Sequence, residues 1–199
     1  MLQLNHISVK GTNGDILKDC IYRFNEGEIY VLYMDNKKNI KILLDCLSNY
    51  RKPEEGEITT WTDAIIYNIS SVDALPANFT VAEFLDSLAK INGVESNLET
   101  ALENVPLIKD KMDLRIEALS DEELALLHVV MFMTIKPYIN IWAVPFAPDE
   151  YMKKLIDVVG EFNVYIFASY NENECKHIAE LLSATMITFV DGSVSEYKN

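Results

Sequence analysis

Residues 28–44 read EIYVLYMDNKKNIKILL: an apolar run, a short polar turn, then a segment whose apolar residues return every three or four positions. That order predicts a strand, a loop and an amphipathic helix. It is the scaffold on which a Gly-x-x-x-x-Gly-Lys-Ser/Thr motif offers backbone N–H groups to phosphate at a helix N-terminus. Here the turn holds neither the glycines nor the lysine in register. Ile40 instead opens a stripe with Leu43, Leu44 and Leu47 at helical spacing, which predicts packing rather than binding. Lys37 and Lys41 lie four apart and are expected on a solvated face.

Outward from this stretch, strand-like segments fall at LQLNHIS, CIYRF, GEITTW, AIIYNIS, YINIWAV, NVYIFAS and MITFVDG, mostly rich in β-branched and aromatic residues. Helical periodicity predicts helices near 38–50, 80–92, 96–104, 120–136, 147–160 and 172–182. Early β segments, helices in the middle and a closing strand–helix–strand alternation predict an α/β domain with a helical insertion. Residues 1–199 form a single domain on this reading, with a helical subdomain at about 72–120. Pro76, Pro106 and Pro137 mark element boundaries.

With 199 residues, 49% of them hydrophobic, the chain is long enough to bury a sizeable core. Its formal charge of −14 argues against nucleic acid and against adsorption to anionic lipid, since both need clustered Lys and Arg. The opening MLQLNHISVK lacks the features of a secretory signal, and no run of about 18 apolar residues suggests a membrane span. A cytoplasmic location is therefore expected, peripheral at the membrane only through a protein partner. Cys20, Cys46 and Cys175 are odd in number and widely spaced, which fits reduced core thiols. Cys175 and His177 are the one close Cys/His pair, a poor metal signal. His6, His128 and His177 are scattered with no hydrolase triad around them. No metal site and no catalytic residue is expected.

Several longer stretches share one order. LNHISVKGTNGDILKDCIYRFNEGEIYVLY precedes the phosphate-loop position, LLDCLSNYRKPEEGEI follows it, and FTVAEFL at 79–85 opens the helical part. ALSDEELALLHVVMFMTIKP at 118–137, YINIWAVPFAPDE, NVYIFASYNENE and MITFVDGSV complete the series. Taken together the chain resembles the ATP-binding subunit of an ABC transporter over nearly its whole length. The resemblance implies a P-loop NTPase-like ABC ATPase fold with an N-terminal β subdomain and a helical insertion.

Register then assigns the family's functional positions. The three phosphate-loop glycines correspond to Met34, Lys37 and Asn39, the lysine to Ile40 and the paired hydroxyl residues to Lys41 and Ile42; only Asn36 survives. The magnesium-linked aspartate and the catalytic glutamate correspond to Ala143 and Val144, which can neither orient water nor accept a proton. The glutamine of the Q-loop falls near Ser71, the switch histidine on Tyr170, and no aromatic stands near Gly11 or Thr12 to stack on adenine. Leu-Ser-Gly-Gly-Gln has become Leu119, Ser120, Asp121, Glu122 and Glu123. Ser120-x-x-Glu123 is also a capping-box pattern, so this helix is expected to satisfy its own terminus. Asp149 and Glu150 read as the first turn of a helix, where negative charge is favourable, rather than as displaced catalytic carboxylates.

The resemblance implies a catalytically altered subunit of a transport complex, its partner a permease received around Ser71 and residues 79–115. A soluble protein binding another ABC ATPase, as a homo- or heterodimer, is the alternative. A further alternative is an ATP-hydrolysing subunit with a non-standard site, and only that one calls for Mg-ATP as cofactor; otherwise no cofactor is expected.

Overall fold

The computed structural model describes residues 1–61, 65–69, 75–143 and 145–197. Contacts divide the chain into two units: Met1–Ser70 with Pro137–Val144 and Glu161–Asn199, and Ser71–Lys136 with Pro145–Gly160.

The first unit holds two sheets. In one, β1 (Leu2–Lys10) lies between β2 (Asp15–Phe24) and β4 (Glu55–Thr60), antiparallel to both. The other runs β5 (Ile66–Ile69), β6 (Ile139–Ala143), β7 (Val164–Ser169), β3 (Ile29–Tyr33), β8 (Thr185–Val190) and β9 (Ser193–Tyr197). All neighbours in it are parallel except β8 and β9. Every residue of β6 and β7 is buried, the pattern of parallel strands covered on both faces.

Among the described residues two helices belong to this unit, α1 (Lys37–Leu47) after β3 and α7 (Glu172–Leu182) after β7. The stripe Ile40, Leu43, Leu44 and Leu47 is buried in one core with Leu2 and Leu4 of β1 and with Ile141 and Ile166 of the parallel sheet. Helix α1 stops short of the expected residue 50 because Ser48 caps it and Asn49 turns left-handed at φ 61°. Strand β9 adds to the sequence expectation. Asp191 and Gly192, at φ 50° and 78°, form a two-residue turn with both residues left-handed, the geometry that matches strand twist in a hairpin.

The second unit is helical: α2 (Val81–Asn92), α3 (Glu95–Asn104), α4 (Pro106–Lys109), a 3₁₀ turn at Ile116–Ala118, α5 (Asp121–Ile135) and α6 (Asp149–Val159). The segment expected at 72–120 is thus joined by α5 and α6, while residues 70–74 lie outside the described part. Thr80 and Glu83 form a reciprocal capping box at the start of α2, and Gly93 ends it at φ 64°. Beyond its acidic first turn, helix α5 is largely apolar on every side and is buried at each position from Ala125 to Ile135. No helix among the described residues is long and apolar enough to cross a membrane.

Candidate functional site

Strands β3, β6 and β7 are parallel, so their C-terminal ends share one edge of the sheet, where ligands of open α/β folds bind. The sequence-derived positions Met34 to Ile42 and Tyr170 follow the ends of β3 and β7, and Ala143 is the last residue of β6. Val144 and Ser71 lie outside the described residues.

At the first of these ends the chain satisfies its own helix terminus. Asn36 Oδ1 accepts from the backbone N–H of Lys38 at 2.9 Å and of Asn39 at 3.4 Å, and the Ile40 N–H reaches the Asn36 carbonyl at 3.1 Å. In a phosphate loop the orphan first-turn N–H groups face the anion; here the Asn36 side chain takes those of Lys38 and Asn39.

A second tie covers the same terminus. Asn39 Oδ1 accepts from the Thr12 backbone N–H at 2.9 Å and from its hydroxyl at 3.2 Å, while Asn36 Nδ2 donates to Thr12 Oγ1 at 3.0 Å. The turn after β1 is thereby held to the start of α1. Gly11 makes that approach possible, since a Cβ there would stand 2.7 Å from Asn39 Oδ1 and 2.9 Å from Ile16 Cγ1.

The side chains around it match their expected roles as packing and solvated groups. Met34 and Ile40 are buried, and Ile42 packs partly buried against the same core. Lys37 and Lys41 are exposed, and the Lys41 ammonium sits 2.8 Å from Asp45, four residues on. This pair spends the lysine charge locally, with the small stabilisation usual for such helix pairs.

At the second end, Ala143 is buried and offers only a methyl group. At the third, Tyr170 is exposed, and the residues flanking it close the terminus of α7. Asn171 Oδ1 accepts from the Asn173 and Glu174 N–H groups at 3.0 and 3.3 Å, and Ser169 Oγ donates to Glu174 at 2.5 Å. Two helix N-termini at one sheet edge are thus capped by asparagines, Asn36 and Asn171. The Asn-before-helix pattern is a sequence signal for a cap; the Thr12–Asn39 tie has no local signature.

In the helical unit, Ser120 and Glu123 form the capping box that their spacing predicts. Ser120 Oγ accepts from the Glu123 N–H at 3.3 Å and the Glu123 carboxylate accepts from the Ser120 N–H at 2.8 Å. That N–H, with Lys111 2.9 Å away, holds the Glu123 carboxyl below the usual carboxylate range. Asp121 and Glu122 complete an acidic first turn and are exposed. Asp149 and Glu150 occupy the first turn of α6 after Pro148, as the helix-start reading requires.

No family model matches the chain, and no curated protein matches it. Solved structures match over most of its length. An ATP-binding cassette solved as a dimer in a post-hydrolysis state with ADP and Pi is 16% identical, with TM-score 0.78 over 100% of this chain and 98% of that one. Similar too are cbiO1 from Clostridium perfringens, part of the ABC transporter complex cbiONQ, at 17% identity and TM-score 0.72 over 98% and 86% of the two chains. An ABC transporter ATP-binding protein from Pyrococcus furiosus is 20% identical, with TM-score 0.68 over 86% of this chain and 92% of that one. The chain therefore has the fold of ATP-binding cassette domains, with a mixed α/β core.

Proposed function

We propose that this chain is a non-hydrolytic subunit of a membrane transport complex, an ATP-binding cassette fold kept for protein contact after its nucleotide chemistry was lost. The observation that carries the proposal is the start of α1, where Asn36 takes the N–H groups of Lys38 and Asn39 and the turn at Thr12 is bonded across the terminus. Ile40, in the position of the phosphate-binding lysine, is 3% exposed. Ala143 has no group to hold a metal or take a proton. The acidic first turn of α5 supports the same reading for the second half of a composite site, since Asp121 and Glu122 would repel a triphosphate.

A permease is the favoured partner, and two exposed apolar side chains of the helical unit support that reading. Phe79 and Leu114 are 44% and 40% exposed and neighbouring, because Ile116 donates to the Phe79 carbonyl and Val81 to the Leu114 carbonyl. Relatives of this fold work in such assemblies, as the place of cbiO1 in its transporter complex illustrates.

Isothermal titration of the purified chain with Mg-ATP tests the proposal, with thermal shift as a cross-check because a ligand that binds only the folded state raises Tm. No saturable heat and no shift are expected. A Kd in the micromolar range would overturn it. Co-purification from solubilised membranes with a permease, rather than a soluble complex with another ATPase, is the expected partner result.

A further inference from the structure

Asn-Gly occurs twice in the chain, at Asn13–Gly14 and at Asn92–Gly93, and the fold treats the two pairs differently. Asn13 sits at the tip of the β1–β2 hairpin, where Lys10 pairs with Asp15 and the Gly11 N–H donates to the Gly14 carbonyl at 2.7 Å. It is exposed, and among the described residues neither its side chain nor the Gly14 N–H has a hydrogen-bond partner. A Cβ at Gly14 would meet nothing within 4 Å, so the space around the pair is open. Asn92 instead closes helix α2. Its amide donates to the Leu88 carbonyl at 2.8 Å, and the Gly93 N–H is bonded to the Lys90 carbonyl at 3.2 Å.

The amide and the N–H left free at Asn13 are the groups that a succinimide closure uses. The Gly14 backbone nitrogen gives its proton to water or hydroxide and attacks Asn13 Cγ; the new C–N bond closes a cyclic imide as the Cγ–Nδ2 bond breaks, and Nδ2 leaves as ammonia. Water then adds to one imide carbonyl and opens the ring. Attack at Cγ gives aspartate, and attack at the main-chain carbonyl gives isoaspartate, whose backbone runs through Cγ and is longer by a methylene. Water is taken up, ammonia is released and no atom changes oxidation state. A glycine on the attacking side puts no Cβ in the way, and a surface loop tip can bend to the ring. At Asn92 the same closure must first break two hydrogen bonds at the end of a helix.

We propose that Asn13 is a self-modification site, converted by deamidation to isoaspartate, and that the conversion unfastens the β1–β2 hairpin from α1. Its neighbour Thr12 holds that tie, through its N–H and hydroxyl to Asn39 Oδ1 and through Oγ1 to Asn36 Nδ2. Gly11 leaves no slack on the other side, since a Cβ there would stand 2.7 Å from Asn39 Oδ1. An added methylene at residue 13 lengthens the hairpin tip by about 1.5 Å, which shifts Thr12 out of register with Asn39. Aspartate at 13 adds the charge without that atom, and a carboxylate near a helix N-terminus is favourable, so it keeps the tie. The tie thus opens with the age of the molecule, whether or not the chain binds nucleotide.

Incubation of the folded full chain in warm, mildly alkaline oxygen-18 water, followed by peptide mass spectrometry, tests the chemistry. Label is expected at residue 13, mostly as isoaspartate detected by isoaspartyl methylation in vitro. Its rate should exceed that at residue 92 by at least about tenfold, because two hydrogen bonds guard the latter. In urea both pairs should react at similar rates, and Asn13→Gln should take up no label at residue 13. NMR hydrogen exchange, corrected for intrinsic rates, tests the consequence. The Thr12 amide should exchange about fivefold faster in the isoaspartate form, the weight of a lost hydrogen bond, and at the parent rate in Asn13→Asp. Labelling at residue 13 no faster than at 92 in the folded chain, a preference for 13 that persists undiminished in urea, or parent-like Thr12 exchange in the isoaspartate form would overturn the proposal. So would exchange equally fast in Asn13→Asp.

Discussion

Asn39 places its side-chain oxygen 2.9 Å from the backbone N–H of Thr12, across 27 residues of sequence. The bond joins the turn after β1 to the first turn of α1, and the Thr12 hydroxyl strengthens it from the same side at 3.2 Å. Replacing Asn39 with Ala removes the shared acceptor, and a loss of about 1 kcal/mol is expected because the groups are exposed enough for water to replace it. Faster hydrogen exchange at the Thr12 amide in Asn39→Ala, measured by NMR, is the local signature. Unchanged exchange would mean that the tie does not hold the turn in solution.

Ile40 is expected to behave as a core residue. Ile40→Ala should lower unfolding free energy by about 2–5 kcal/mol in urea titrations, as for other buried aliphatic truncations. Ile40→Lys restores the lysine of a phosphate loop, yet it should destabilise at least as much and produce no Mg-ATP binding. The reason is that a charge is placed in the core while Asn36 still occupies the helix N–H groups.

Ser120→Ala tests the capping box of α5. A loss of about 1 kcal/mol is expected, from the cap to the Glu123 N–H. Glu123→Gln should retain much of the reciprocal bond, since Gln also serves at this position, but lose the Lys111 ion pair. Equal stability of Ser120→Ala and the parent in urea would remove the cap from the account.

His128 sets a pH dependence. Burial pushes its imidazole pKa down from 6.5 to about 4. Below pH 6.5 the unfolded chain binds a proton that the folded chain refuses until about pH 4, so stability falls as pH drops through that window. At 1.36 kcal/mol per unit, lowering the pH from about 7 to about 5 costs roughly 2 kcal/mol through this residue. The carboxylates titrate there too, so the measure is the difference between parent and His128→Leu in urea unfolding at the two values. The variant should show the flatter dependence, and coincident slopes would eliminate His128 as a source.

The three thiols should be inert in the folded chain. Burial raises the Cys20 thiol, pushes Cys46 up to about 11 and Cys175 up to about 12, and all three are free and buried. Since the thiolate is the reacting species, a chromogenic disulfide reagent near pH 8 should label them slowly, at a rate set by opening of the structure. Labelling of all three should become fast in urea. Rapid reaction of one thiol without denaturant would identify a locally open region.

The order of elements was legible because it is written in local periodicity. EIYVLY and the stripe from Ile40 to Leu47 predict β3 and α1 from burial needs alone, and both form. Ser120-x-x-Glu123 works the same way, since a cap joins residues only three apart. The Asn36 cap before α1 and the Asp191–Gly192 hairpin before β9 were not read from the sequence, although each has a local signal.

Sequence by itself determined the strand–turn–helix frame, the α/β class and the residue types that stand at positions 34–42, because each depends on residue type and short spacing. Only the tertiary structure decided which distant residues meet around those positions. The Thr12–Asn39 tie and the common sheet edge of Met34, Ala143 and Tyr170 join residues far apart in the chain. Such meetings are fixed by strand order and by the packing of α1 and α7 against the sheet, which no local pattern encodes.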